Sequence, residues 1–419
     1  MASAFTFLFV FFLLLMVGLK FWLATRQIRH VARHSQDVPA QFAARISPQA
    51  HRKAAAYTIA RQRLAMLESA VGVALLVGLT LLGGVQAIAS AISGWLGSAL
   101  AAQVAIVAAV AVILGAADVP FEWYRQFRIE EKFGFNRMTP ALFVADLLKS
   151  VLVAAALGLP LLALVLWLMN AAGSYWWLYA WAVWVGFNAL VLVLYPTVIA
   201  PLFNRFEPLA DGDLAARIGA LLARTGFSSR GVFVMDGSRR SAHGNAYFTG
   251  LGRAKRIVFF DTLLQRLQPS EIEAVLAHEL GHFKRRHIAK RLAFSFVASL
   301  VFLAALGLLA GTSWFYLGLG VTPALDAANS GVALVLFMLV VPVFTFVLAP
   351  VASRISRKHE FEADAFAVAH TSGDDLASAL VKLYEDNAAT LTPDPLHSAF
   401  YDSHPPATIR IARLRAAAA

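Results

Sequence analysis

The chain has 419 residues, 59% of them hydrophobic and 15% charged, with a mean hydropathy of +0.66. This excludes an ordinary soluble enzyme, and the formal charge of +11 lies mainly beside apolar stretches, which points to lipid headgroups and membrane orientation and to no nucleic-acid partner. Cysteine is absent, so disulfides, thiolate ligands and a cysteine nucleophile are excluded, and any metal must be held by histidine and carboxylates.

A bilayer core about 30 Å thick needs about 20 apolar residues per helix. Seven stretches meet that length: 4–24, 64–83, 99–117, 149–169, 176–200, 291–312 and 331–352. The first lacks a basic leader and a small-residue cleavage site, so it is expected to be a retained span rather than a signal peptide. The loop after it carries Arg26, Arg29, Arg33, Arg45, Arg52, Lys53, Arg61 and Arg63, which the positive-inside rule assigns to the cytoplasm. The far-side connections are then 84–98, 170–175 and 313–330, none of which contains Lys or Arg. The polar segments 118–148, 201–290 and 353–419 fall on the cytoplasmic side.

The expected organisation has four parts: a five-helix membrane region over 1–200, a polar catalytic region over 201–290, two further spans within 291–352 and a polar C-terminal region over 353–419. Within 201–290 the pattern predicts a helix at 211–225 and short strands at Gly231–Met235 and Arg256–Phe260. A helix follows, with Ser270 and Glu273 at capping-box spacing.

That helix carries His278-Glu279-Leu280-Gly281-His282. Histidines four apart project from one helical face and can share a metal ion, while Glu279 is placed to take a proton from the attacking water. Catalytic zinc needs a third protein ligand and one open position. A metzincin pattern would require Gly and His where Arg285 and Ile288 stand, and His287, one position off, reads as an interfacial side chain. A thermolysin-like spacing would place Glu at Phe302, inside an apolar span. The remaining source is His359-Glu360-Phe361-Glu362-Ala363-Asp364, where Glu360 and Asp364 share a helical face, so one can ligate while the other orients a ligand imidazole; Glu362 points elsewhere.

These residues resemble those of the type I CAAX prenyl endopeptidases, integral-membrane zinc proteases. The resemblance continues through Glu130-Glu131-Lys132-Phe133-Gly134-Phe135-Asn136, Ile199-Ala200-Pro201-Leu202-Phe203-Asn204, Gly244-Asn245-Ala246-Tyr247-Phe248-Thr249-Gly250, Pro393-Asp394-Pro395-Leu396 and Ser403-His404-Pro405-Pro406. The segment reads His243-Gly244-Asn245 where the family usually has His-Ser-Asn.

The resemblance implies an all-α membrane protein whose seven transmembrane helices enclose a chamber, with a zinc protease region that includes a small β element. It further implies one zinc ion per chain on His278, His282 and Glu360, with Asp364 behind the ligands. Asn245 would bind substrate backbone by edge-strand pairing, and His404 would polarise the scissile carbonyl or stabilise its oxyanion. The implied activity is removal of the C-terminal tripeptide of prenylated proteins; the alternative is a heat-shock-type protease that clears misfolded membrane proteins. The Ala- and Arg-rich composition fits a GC-rich bacterium, so the expected location is a bacterial inner membrane rather than the endoplasmic reticulum, with the active site on the cytoplasmic side.

Overall fold

A computed structural model of the chain describes residues 1–97, 99–210, 212–227, 229, 231–249, 256–323 and 329–418. Positions 98, 211, 228, 230, 250–255, 324–328 and 419 of the segments read above lie outside the described residues. Among the described residues, seven helices are long and apolar enough to cross a membrane: Ala2–Arg33, Pro48–Leu79, Leu100–Glu130, Pro140–Ala171, Gly173–Phe203, His287–Leu309 and Ser330–His370. Each contains or overlaps one of the seven apolar stretches, and most outrun it. The apolar window marks only the part a bilayer can hold, while backbone hydrogen bonding continues wherever the next residues pack or are capped. The last of these runs is the extreme case, since one continuous helical rod carries both the apolar stretch and the Glu360 segment.

The polar regions assemble into one packed unit around a four-stranded sheet: β1 Phe206–Pro208, β2 Val232–Met235, β3 Ala246–Thr249 and β4 Arg256–Phe260, in the order β1-β2-β4-β3. Strands β2 and β4 pair in parallel, with Val232 opposite Ile257, and the outer two pairings are antiparallel. Strand β4 is buried on both faces through Ile257, Val258 and Phe259, whereas β3 pairs with β4 alone among the described residues, which leaves its other edge open there. The expected 211–225 helix is Gly212–Arg224; its Leu214, Ile218 and Leu221 pack into the same core as the sheet and the helix Pro269–Lys284.

The start of Pro269–Lys284 corrects the expected cap. Pro269 occupies the first turn, Gln268 is the N-cap, and Glu271 rather than Glu273 closes the box by accepting from the Gln268 amide at 2.8 Å. Proline is pre-set for the first helical position, so the helix begins one residue ahead of Ser270. Glu273 instead turns outward to Arg217 and Arg224.

Two contacts bring the first loop to the same end of the bundle as both polar regions. Phe42 and Ile46 are buried in the core that holds Ile272 and Leu276. Arg26, at the end of the first span, pairs with the buried Asp394 at 2.9 Å. Asp394 also accepts from the amides of Leu396 and His397, so the Pro-Asp-Pro-Leu string caps a short helix and ties it to the first span.

Candidate metal centre

Pro269–Lys284 packs against Ala349–His370, and Gly281 lies at that contact. A Cβ there would lie 2.9 Å from Ala363 Cα and 3.0 Å from Ala363 O. The missing side chain lets the two backbones approach until side chains within one helical turn of that contact can meet. His278 and His282 from one helix and Glu360 from the other then present ligand atoms within 4.8 Å of one another. His278 Nε2 and His282 Nε2 are 3.2 Å apart, Glu360 Oε1 lies 3.3 Å from His282 and Glu360 Oε2 lies 3.6 Å from His278.

Both imidazoles have their second nitrogens occupied. His278 Nδ1 donates to Asp364 Oδ1 at 2.8 Å, as the Glu-x-x-x-Asp spacing allows. His282 Nδ1 meets His287 Nδ1 at 3.1 Å, and His287 Nε2 in turn reaches Glu362 Oε2 at 2.9 Å. The carboxylate fixes the tautomers along this chain. His287 donates to Glu362 through Nε2, accepts from His282 at Nδ1, and leaves the His282 Nε2 lone pair facing its neighbours. His287 is therefore buried in the scaffold of the site and is not an interfacial side chain, and Glu362 has a partner within the site. The spacing that failed as a ligand motif serves instead to orient a ligand.

Two lone-pair nitrogens at 3.2 Å cannot hydrogen-bond to each other and repel unless something positive lies between them. A tetrahedral ion with ligand bonds of about 2.0–2.1 Å separates two donor atoms by about 3.4 Å, so the spacing fits such an ion. The carboxylate tells the same story. Glu360 Oε2 is buried, with His404 Nδ1 at 2.7 Å and Arg410 Nη1 at 3.3 Å, yet among the described residues no donor is aligned to give it a hydrogen bond.

Arg410, on the helix Ala407–Ala418, was not singled out by the sequence. It is buried, grips Asp364 through Nε and Nη2 at 2.8 and 2.6 Å, and lies against the His278 ring, 3.1 and 3.2 Å from its nitrogens. Burial disfavours its charge, but Asp364 and Glu360 more than offset this and hold the guanidinium protonated. At His278 burial and Arg410 oppose protonation, while the Asp364 and Glu360 carboxylates raise the pKa above its ordinary value. The one available signal was position: the first of three arginines in the Ala-rich helix that follows Ser403-His404-Pro405-Pro406.

Glu279, next to His278, is half-buried and makes no hydrogen bond or ion pair among the described residues, which leaves its carboxylate available. His404 is 64% exposed and sits on a loop that Arg357 clamps by donating to the carbonyls of Ser398, Ala399 and Asp402. Asn245 is exposed at the start of β3, where its carbonyl accepts from Phe260 and aligns the open edge. It is not one of the residues that converge on the metal position.

The remaining strings of the sequence are struts for the approach to β3. Phe135 O accepts from the Ala242 amide at 3.1 Å and Arg137 donates to Arg240 O at 3.1 Å, so the Phe-Gly-Phe-Asn segment pairs with the loop that leads into the strand. Arg240 pairs with Asp146 at 2.8 Å and donates to Asn204 Oδ1 at 2.9 Å. His243 is held by Glu130 at 3.3 Å and by Asn387 at 3.0 Å, with the Tyr57 hydroxyl on the other Glu130 oxygen at 2.6 Å. Three spans thus fix the segment that ends at Asn245.

A family model described as CAAX prenyl protease N-terminal, five membrane helices, matches residues 27–205, and one described as peptidase family M48 matches residues 208–418. The chain is 41% identical over 290 residues to a CAAX prenyl protease 1 homolog of Dictyostelium discoideum, covering 69% of this chain and 67% of that protein. It is 37% identical to CAAX prenyl protease 1 of Saccharomyces cerevisiae, covering 71% and 68%, and 32% identical to the Homo sapiens homolog, covering 71% and 70%. The crystal structure of S. mikatae Ste24p superimposes with a TM-score of 0.90 at 29% identity, covering 98% of this chain and 99% of that one.

Proposed function

The chain belongs to peptidase family M48, with the membrane region of the CAAX prenyl proteases, and is a multi-pass membrane metalloendopeptidase acting on peptide or protein substrates; on that premise we propose that its metal is zinc, held by His278, His282 and Glu360, and that its substrate is the C-terminal tail of a prenylated protein. The observation that carries the ligand assignment is the pair of lone-pair nitrogens 3.2 Å apart beside a buried carboxylate oxygen with no aligned donor. When bound, zinc polarises the scissile carbonyl and makes the attacking water more acidic.

The chain's own residues supply the rest. Asp364 and His287 occupy Nδ1 of the two ligand imidazoles and leave Nε2 directed inward, which fixes the tautomer and ring orientation a metal needs. Glu279 takes the proton from the attacking water and returns it to the departing amine. His404 donates to the oxygen on which negative charge develops, and its exposure allows it to meet the substrate as the peptide enters. The open edge of β3, beginning at Asn245, pairs with the substrate backbone and lays the scissile bond across the centre.

The four-part division at 200, 290 and 352 is retained in this reading: the membrane region, the HELGH region, a second membrane pair and the tail that brings Glu360 and His404. The first-loop cations support a cytoplasmic side for the catalytic end, and the composition favours a bacterial inner membrane. The test is cleavage by the purified chain of a farnesylated C-terminal peptide beside its unmodified twin, with elemental analysis of the same preparation. The expected result is faster release of a tripeptide from the farnesylated peptide and one zinc per chain. Equal cutting of both peptides would favour a quality-control protease, and absence of zinc would refute the centre.

A further inference from the structure

Behind the metal position, at the turn between Pro269–Lys284 and His287–Leu309, lies an open cavity of 710 Å³. Lys284, Arg285, Arg286, Lys290, Lys358 and Arg413 line it, against one carboxylate, Glu362. That carboxylate is already committed, since one oxygen binds His287 at 2.9 Å while Lys358 stands 3.9 Å from the other. Lys284 donates to Gly226 O and Arg413 lies over the Phe361 ring at 3.9 Å. Arg285, Arg286 and Lys290 form no ion pair among the described residues. Like charges repel at this density unless an anion joins them, so the cluster is costly without a ligand.

The backbone keeps the cluster together. Arg286 has φ of 57°, the left-handed region that non-glycine residues rarely occupy, and the sharp turn it makes sets Arg285 and Arg286 beside Lys290 of the next helix. The His287 ring stacks on His359 at 3.9 Å and joins that turn to the helix carrying Lys358.

The two helices then say what kind of anion fits. On Ala349–His370, Val351, Ile355, Lys358 and Glu362 follow one another at spacings of four, three and four, so one face runs from exposed apolar side chains into the cavity. On His287–Leu309, Lys290, Phe294, Val297 and Val301 do the same. Two exposed apolar stripes on membrane-spanning helices therefore converge on one basic cavity. A soluble anion would use only the cations, and an acyl chain only the stripes.

We propose that this cavity binds the phosphate of an anionic phospholipid, with the acyl chains lying along the two stripes. The inference is independent of which peptide the enzyme cuts. The test uses the full chain in detergent with equal amounts of phosphatidylglycerol and phosphatidylcholine, reading retained lipid by native mass spectrometry. Wild-type protein is expected to retain phosphatidylglycerol in preference. The triple variant Arg285→Gln, Lys290→Gln, Lys358→Gln should lose at least about tenfold of that retention, from three cations each contributing to headgroup attraction.

A matched triple in the first loop, Arg29→Gln, Arg33→Gln, Arg63→Gln, should retain the lipid. Lys358→Gln alone, a change at a side chain 77% exposed, should lose about fivefold and covers the case in which the triple variant misfolds. Unchanged retention in Lys358→Gln and in the cavity triple, or equal loss in the first-loop triple, overturns the site. Displacement of the lipid by an equimolar amount of glycerol 3-phosphate also overturns it, because the occupant would then be a soluble phosphate.

Discussion

The catalytic end and the membrane bundle are held together in different ways. Around Pro269–Lys284, the sheet and helices form a continuous core in which Leu276 and Leu280 have almost no exposed surface. The spans Pro140–Ala171, Gly173–Phe203 and His287–Leu309 bury only 6% of their most apolar windows, against 33% for the span that continues into the Glu360 helix. Apolar side chains on a span need no protein neighbour, since lipid is as apolar as they are, but a polar centre needs every donor and acceptor fixed. The chemistry accordingly sits where packing is dense, and the looser half acts as its container and anchor.

That contrast can be broken most sharply by a change that removes chemistry without touching packing. Glu279→Gln should lower kcat by about a thousandfold while zinc content and melting temperature stay at wild-type values. A fall in zinc content would move Glu279 from the reaction into the scaffold. Next in size is a paired truncation, one residue from each half. Leu276→Ala should destabilise the protein by about 2–5 kcal/mol. Phe294→Ala, on a side chain 74% exposed, should shift the denaturation midpoint in detergent by less than about 0.5 kcal/mol. Comparable losses at both sites would refute the division.

His287→Ala should weaken zinc affinity by about 10- to 100-fold, measured by competition with a chelator, because His282 loses the partner that sets its tautomer. Unaltered affinity would return His287 to the role of an ordinary interfacial residue.

The smallest effect concerns Glu271. Burial alone would raise its pKa, but Lys382, the Gln268 amide and Ser378 outweigh burial and hold it below the usual carboxylate value. A lowered folded pKa contributes stability that is present above pH 4.5 and lost as pH falls through the folded value. Glu271→Gln keeps the cap shape and removes the charge. It should cost about 1 kcal/mol near neutral pH, with the gap to wild type closing below pH 4.5; a gap independent of pH would exclude the charge as its source.

The features legible in the sequence were those with a local pattern. Apolar runs gave seven spans, loop charges gave a common end for the first loop and both polar regions, and two short strings gave three candidate ligand residues that meet in space. Helix ends were less legible, because Ser330–His370 stays helical long after its apolar stretch stops. The residues that escaped notice act through partners distant in the chain. Arg410 matters because of Asp364 and His278, and Arg240 because of Asp146 and Asn204, none of which lies in the same element. His287 was misjudged because its spacing was tested for ligation alone, while its work is one bond further out.

Gly281 has no functional group, yet the distance at which the two helices meet depends on its lack of one. Any engineer transplanting such a centre to another scaffold should begin with that interhelical clearance and add the donor atoms afterwards. A sequence scan that kept both histidines and the glutamate but admitted a larger residue at this position would collect chains in which the three never come within reach.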